Sequence, residues 1–164
     1  MKSLFVLLLM GAAALASAQT PSQSCTPVGG ILFTNVAAIE NRINFGVVSG
    51  DLAGSVAASI IAGPETIGFP SQGRTQIRFT VQHYWVTDRG ETILFKPAVA
   101  TADTTSKENV VSITYDNYVA QIIGGTGRFE NATGTVKFTG VVDFNESHLV
   151  LRYTGRYCTA GAGR

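Results

Sequence analysis

Apolar and polar residues alternate with a period of two along most of this chain. From Gly50 to Ala62, Leu52, Gly54, Val56, Ala58 and Ile60 share one parity, and Ala53, Ser55, Ala57, Ser59 and Ile61 share the other. That pattern predicts a half-buried strand, ended by Gly63-Pro64. Thr75 to Thr87 alternates likewise, and Asp88-Arg89-Gly90 signals a hairpin turn. Glu91 to Phe95 returns from it, and Lys96-Pro97 stops the ladder. Thr101 to Lys107 is polar and reads as a loop. Val110–Tyr115 and Tyr118–Ile123 are two strands, or one strand bulged at Asp116-Asn117. Thr133 to Phe144 predicts a long strand, Asn145-Glu146 a turn, and Ser147 to Tyr157 the last strand. No long segment has the 3.6-residue period of a helix, and Val36 to Arg42 allows one helical turn at most.

Many short strands with glycines at turns and inside strands predict an all-β fold. Gly54, Gly134 and Gly140 mark bends of the kind a closed barrel needs at its corners. The expectation is a small closed antiparallel β-barrel of about eight strands, residues 28–159. A polar, Pro-containing linker (19–27) precedes it, and a Gly/Ala tail (160–164) follows.

Residues 1–18 read as a cleaved signal peptide. Lys2 precedes an apolar run from Leu4, and Ala16-Ser17-Ala18 is a small-x-small cleavage site. The run is too short for a membrane span. Secretion or delivery to a periplasm through a bacterial-type signal is the expected destination. Cys25 and Cys158, the only two cysteines, are then most simply a disulfide between the terminal strands. Removing Lys2 with the leader balances basic and acidic residues at 11 each. With no basic stripe, nucleic acid is a poor partner. Nine Phe, five Tyr and one Trp suit an aromatic core or cavity. No metal site is expected.

The run Ile122-Ile123-Gly124-Gly125-Thr126-Gly127-Arg128-Phe129-Glu130-Asn131-Ala132-Thr133-Gly134 is the most specific in the chain. Glu130 stands at the third-glycine step and a period-two strand follows, which excludes a dinucleotide fingerprint. Gly124, Gly125 and Gly127 are expected to serve backbone geometry at a structural turn. The segment resembles the Gly-Gly-[Thr/Ala]-Gly-x-Phe-x-x-Ala-x-Gly signature shared by allene oxide cyclases and plant dirigent proteins. Gly50-Asp51-Leu52 and the hairpin at Asp88-Arg89-Gly90 resemble allene oxide cyclases more loosely. The overall pattern is most similar to exported bacterial allene oxide cyclase barrel-like proteins. The resemblance implies a small antiparallel barrel that holds or steers a hydrophobic small molecule without a cofactor. The cyclase's Glu-x-Asn arrangement has no counterpart, because Glu40 and Asn41 are adjacent here.

Candidate chemistry centres on His83. It shares a strand face with Ile77, Phe79, Val81 and Trp85. It is either a core histidine or a polar group in a cavity, where it would be a weak candidate for acid/base work. Phe79, Val81, His83, Trp85, Tyr115 and Tyr118 are the candidate ligand contacts, the phenols offering a polar tip on an apolar body. Asp143 and Arg152 pair across the last hairpin if its turn is centred on Asn145-Glu146. Three functions stay open: an exported barrel binding a small hydrophobic ligand, a cofactor-free isomerase or cyclase (or a dirigent-type stereochemical guide), and a filled, self-associating structural barrel. A homo-oligomer is possible in each. The barrel interior discriminates. Open and apolar favours binding, open with convergent polar groups favours an enzyme, and filled favours neither.

Overall fold

A computed structural model describes residues 23–37, 39, 43–105, 109–115 and 117–160. Residues 1–18, expected to be a signal peptide, residues 19–22 of the expected linker, Glu40, Asn41, Asp116 and the tail beyond Ala160 lie outside the described residues. The strands run β1 (Gln23–Asn35), β2 (Ile43–Gly50), β3 (Gly54–Ser71), β4 (Arg74–Thr87), β5 (Thr92–Phe95), β6 (Ala98–Thr105), β7 (Val110–Ile113), β8 (Val119–Gly125), β9 (Thr133–Asp143) and β10 (His148–Ala160). A single 3₁₀ turn, Gly127–Phe129, separates β8 from β9. No helix among the described residues is long and apolar enough to cross a membrane.

All pairings are antiparallel, and β10 pairs with both β1 and β9, which closes the sheet into a barrel. The two long strands β4 and β9 are bridged twice. At one level β5 and β8 lie between them, with Tyr84–Val86 of β4 on β5 and Val119–Ile122 of β8 on β9. At the other level β6 and β7 do so, with Arg74–Val81 on β6 and Val110–Ile113 on Gly140–Asp143. Each level is therefore an eight-strand ring, as the alternation predicted, although the chain supplies ten strands.

Alternation sets the inner face. On β4, Val81, His83 and Trp85 are buried while Tyr84 and Val86 are exposed. On β9 and β10, Val136, Phe138, Leu149, Leu151 and Tyr153 point inward and are buried. One end of the barrel is packed solid. Trp85, Phe95, Phe138 and Tyr153 meet there, Trp85 edge-on to Tyr153 at 5.4 Å and tilted against Phe95 at 5.8 Å. Fully burying each such ring contributes on the order of 1.5–3 kcal/mol.

Several sequence expectations are corrected. Residues 23–27, expected in the linker, are paired strand, because Cys25 lies opposite Cys158 and the two form a disulfide. Asp51–Ala53 is not strand but a turn that folds Leu52 into the barrel end. Gly50 has φ +95°, and an added Cβ would collide with the Gly29 carbonyl oxygen, so glycine lets the turn press against β1. Leu52 N–H donates to Tyr153 Oη at 3.0 Å, and Trp85 Nε1 donates to the Leu52 carbonyl at 3.0 Å. The buried turn thus keeps its backbone groups satisfied.

Gly63-Pro64 does not end β3. The strand passes through it to Ser71 by a series of register shifts, and proline is tolerated because β2 pairs only as far as Ser59. The polar run from Thr101 is not a loop, since Thr101–Thr105 completes β6. Ala100 and Ala102 face the core there, and Thr101 and Asp103 are covered by Tyr115 and Asn117. Asp143 lies opposite His148, not Arg152. Its Oδ1 accepts from the Asn145 backbone N–H at 2.8 Å, so it shapes the turn and forms no pair with Arg152. Gly124 and Gly125 belong to β8, opposite Leu94 and Ile93, and the left-handed turn residue is Gly127 at φ +58°.

Candidate functional site

The second level of the barrel is open. A cavity of about 560 Å³ lies between β1, β3, β4, β7, β9 and β10. Its wall is mainly aliphatic and aromatic, including Leu32, Ile77, Phe79, Val81, Ile113 and Leu151. Its rim includes the partly exposed Ile60, Ile61 and Phe144, through which it meets solvent. No Lys, Arg, Asp or Glu lines it among the described residues.

The filled and open halves meet at His83. The ring is buried and stacks on Phe138 at 5.0 Å with an interplanar angle of 16°. Phe95 meets it edge-on at 5.8 Å. Its Nε2 is 2.9 Å from Tyr118 Oη, and its Nδ1 has no hydrogen-bond partner among the described residues. Burial pushes the imidazole down to about 4, so it is neutral at physiological pH. Burial likewise raises the Tyr118 phenol above its ordinary value and keeps it protonated. Strand parity places His83. Tyr118 comes from the connection into β8 and is held by its own carbonyl, which accepts from the Phe138 N–H at 2.9 Å.

The expected ligand contacts divide. Phe79, Val81, His83 and Tyr118 line the cavity. Trp85 does not. Two residues further along β4, it is sealed in the packed end, its indole N–H bonded to Leu52. Tyr115 lies outside the cavity wall too. Its hydroxyl donates to Asp103 Oδ1 at 3.0 Å and accepts from Gln76 Nε2 at 2.5 Å, which ties the β7–β8 connection to β4 and β6. Glu91 pairs with Arg128 Nε at 2.9 Å and accepts from the Arg128 backbone N–H at 3.1 Å. That contact fastens the 3₁₀ turn, and Gly127 adjoins it.

Sequence reasoning missed Thr34. It is buried in the cavity wall, and its Oγ1 has no partner among the described residues. The parity Leu32, Thr34, Val36 on β1 was the available signal, a lone hydroxyl on an apolar face. Asn44 also lines the cavity, but its Oδ1 accepts from the Ala37 N–H at 2.8 Å and pins the β1–β2 connection. The arrangement offers an apolar chamber, uncharged polar groups in its wall, and a neutral imidazole–phenol couple. No cluster of three or more His, Cys, Asp and Glu side chains among the described residues is placed to hold a metal ion.

No protein-family model matches the chain, and no curated protein matches it. Among solved structures it is similar to a pterocarpan synthase dirigent protein, at 17% identity over 92% of this chain and 99% of that chain, with a TM-score of 0.34.

Proposed function

We propose that the protein is an exported barrel that binds a small hydrophobic molecule in the open half of its interior, without a cofactor. The observation that carries this is the cavity of about 560 Å³ with a mainly apolar wall, in which no charged side chain stands among the described residues. That volume falls in the range of small-molecule sites, roughly 300–1,000 Å³. A barrel built only for stability would fill this space with side chains, as the other end does. Export is supported by the leader-like residues 1–18 and by the Cys25–Cys158 disulfide, which persists in oxidising compartments.

A second reading is a cofactor-free isomerase or dirigent-type guide, favoured by the titratable couple His83–Tyr118 in the wall. An imidazole held near 4 is a weak base at neutral pH, which favours binding over proton abstraction.

Ala58 lines the cavity from β3. Ala58→Phe should fill part of the chamber and leave the rest of the barrel in place. Native mass spectrometry of protein purified from its own source should find a small molecule retained by the wild type and lost from Ala58→Phe. Wild-type protein that carries nothing, and takes up no hydrophobic probe that Ala58→Phe excludes, would refute the binding reading.

A further inference from the structure

The wall of the cavity holds more hydrogen-bonding capacity than the protein uses. His83 and Tyr118 together carry two protons, one imidazole N–H and one phenol O–H, because both groups are neutral. One contact of 2.9 Å joins them through Nε2 and consumes one proton. If Tyr118 donates, the imidazole proton sits on Nδ1, which has no partner among the described residues. If Nε2–H donates, the phenol proton is unspent. In either tautomer one donor is left over in a buried, water-poor setting. Leaving such a group unpaired is unfavourable, and a ligand acceptor removes that penalty. The Thr34 hydroxyl adds a second unpartnered group in the same wall.

Charge sets the other limit. No basic side chain lines the cavity among the described residues. The imidazole itself resists becoming a cation, because its ring neighbours are Phe95, Phe138 and Tyr118 with no carboxylate among them. A carboxylate or phosphate on the buried end of a ligand would lose its hydration with no counter-charge among the described lining residues to replace it.

Resting on the binding reading above, we infer that the ligand is an uncharged molecule with an apolar body and an acceptor oxygen, such as a ketone, ether or alcohol, bound with that oxygen on the His83–Tyr118 couple. The couple then sets orientation, and the aliphatic wall supplies most of the burial.

Three probes of nearly the same shape test this. They are 2-acetylnaphthalene, 2-isopropenylnaphthalene (the carbonyl replaced by an alkene) and 2-naphthoate (the methyl ketone replaced by a carboxylate). Equilibrium dialysis at pH 7 should show the ketone binding at least about tenfold more tightly than the alkene, with the carboxylate weakest. The carbonyl carbon resonance of bound 13C-labelled ketone should move downfield from its value in an aprotic solvent, a readout that needs no variant. In the double variant His83→Phe with Tyr118→Phe, ketone and alkene affinities should converge to within about threefold. Equal binding of ketone and alkene by the wild type would overturn the assignment and leave the hydrophobic cavity reading standing. Tightest binding by the carboxylate would overturn it too. A ketone preference lost in Thr34→Val but kept in the double variant would place the oxygen elsewhere and also overturn it. Binding of none of the three would count against the cavity reading itself.

Discussion

His83 is surrounded by aromatic rings and one phenol, and its proton affinity follows from that company. The imidazolium would be buried with no carboxylate in its ring contacts, so the folded protein protonates it only near 4, against 6.5 for the free side chain. The unfolded chain therefore binds this proton at higher pH than the folded one. Stability contributed by the neutral ring is complete above pH 6.5 and is lost as pH falls from 6.5 towards 4. The loss at pH 4 is on the order of 3 kcal/mol. Urea titrations of wild type and His83→Phe between pH 7 and pH 5, above most carboxylate titrations, should show the wild type weakening and the variant nearly flat. Parallel curves would mean that the ring is hydrated in the folded state.

At the level of elements, the connection between β8 and β9 shows how a loop is made stiff. Thr126 Oγ1 accepts from the Thr92 N–H at 2.8 Å, and the Thr92 carbonyl accepts from the Thr126 N–H at 3.1 Å. Glu91 holds Arg128, and Phe129 is fully buried beneath. The chain turns between these anchors at Gly127, whose φ of +58° disfavours a β-branched residue. An added Cβ would stand 2.7 Å from Glu91 Oε1. Gly127→Val should lower unfolding free energy by about 1–3 kcal/mol, measured by urea denaturation. A value within about 0.5 kcal/mol of wild type would show that the turn relaxes freely. The glycine-rich run is thus a fastening between β5 and β9, in keeping with its following strand and against a phosphate loop.

On the scale of the whole molecule, closure and hollowness have different causes. The barrel closes because β1 pairs with β10 from Gln23↔Ala160 to Asn35↔His148, and the disulfide locks that seam across a separation of 133 residues. A loop of that size contributes up to about 5 kcal/mol in the chain-entropy model, and native disulfides in small exported domains typically contribute about 2–5 kcal/mol. Cys25→Ser with Cys158→Ser should lower the unfolding free energy within that range while keeping the β-sheet circular dichroism spectrum. Unchanged stability would mean that strand pairing alone constrains the ends. The cavity lies at one level. Leu52, carried in by its turn, meets Trp85 and Tyr153 at the packed end through hydrogen bonds. At the other level, Ala58 on β3 stands where a larger residue would fill the space.

Period-two alternation, turn residues and cysteine count made the barrel legible from the chain. They set the inward face of β4, the hairpin at Asp88–Gly90 and the joining of the termini, because each depends on local geometry or on a single covalent pair. Strand limits at Gly63-Pro64 and Thr101 were not legible. Proline is excluded only where a neighbour needs its N–H, and a polar residue is a loop residue only if nothing covers it. Both conditions are facts about non-local neighbours. The site divides in the same way. Parity alone put His83 inside with Phe79 and Val81. Whether the ring faced a filled core or open space depended on which side chains other strands brought to the same level. Trp85 met Tyr153 and Leu52 and was sealed, whereas His83 met Tyr118 beside open volume. Thr34 shows the same limit, since a hydroxyl on an inward face has a partner or lacks one only after the barrel has closed around it.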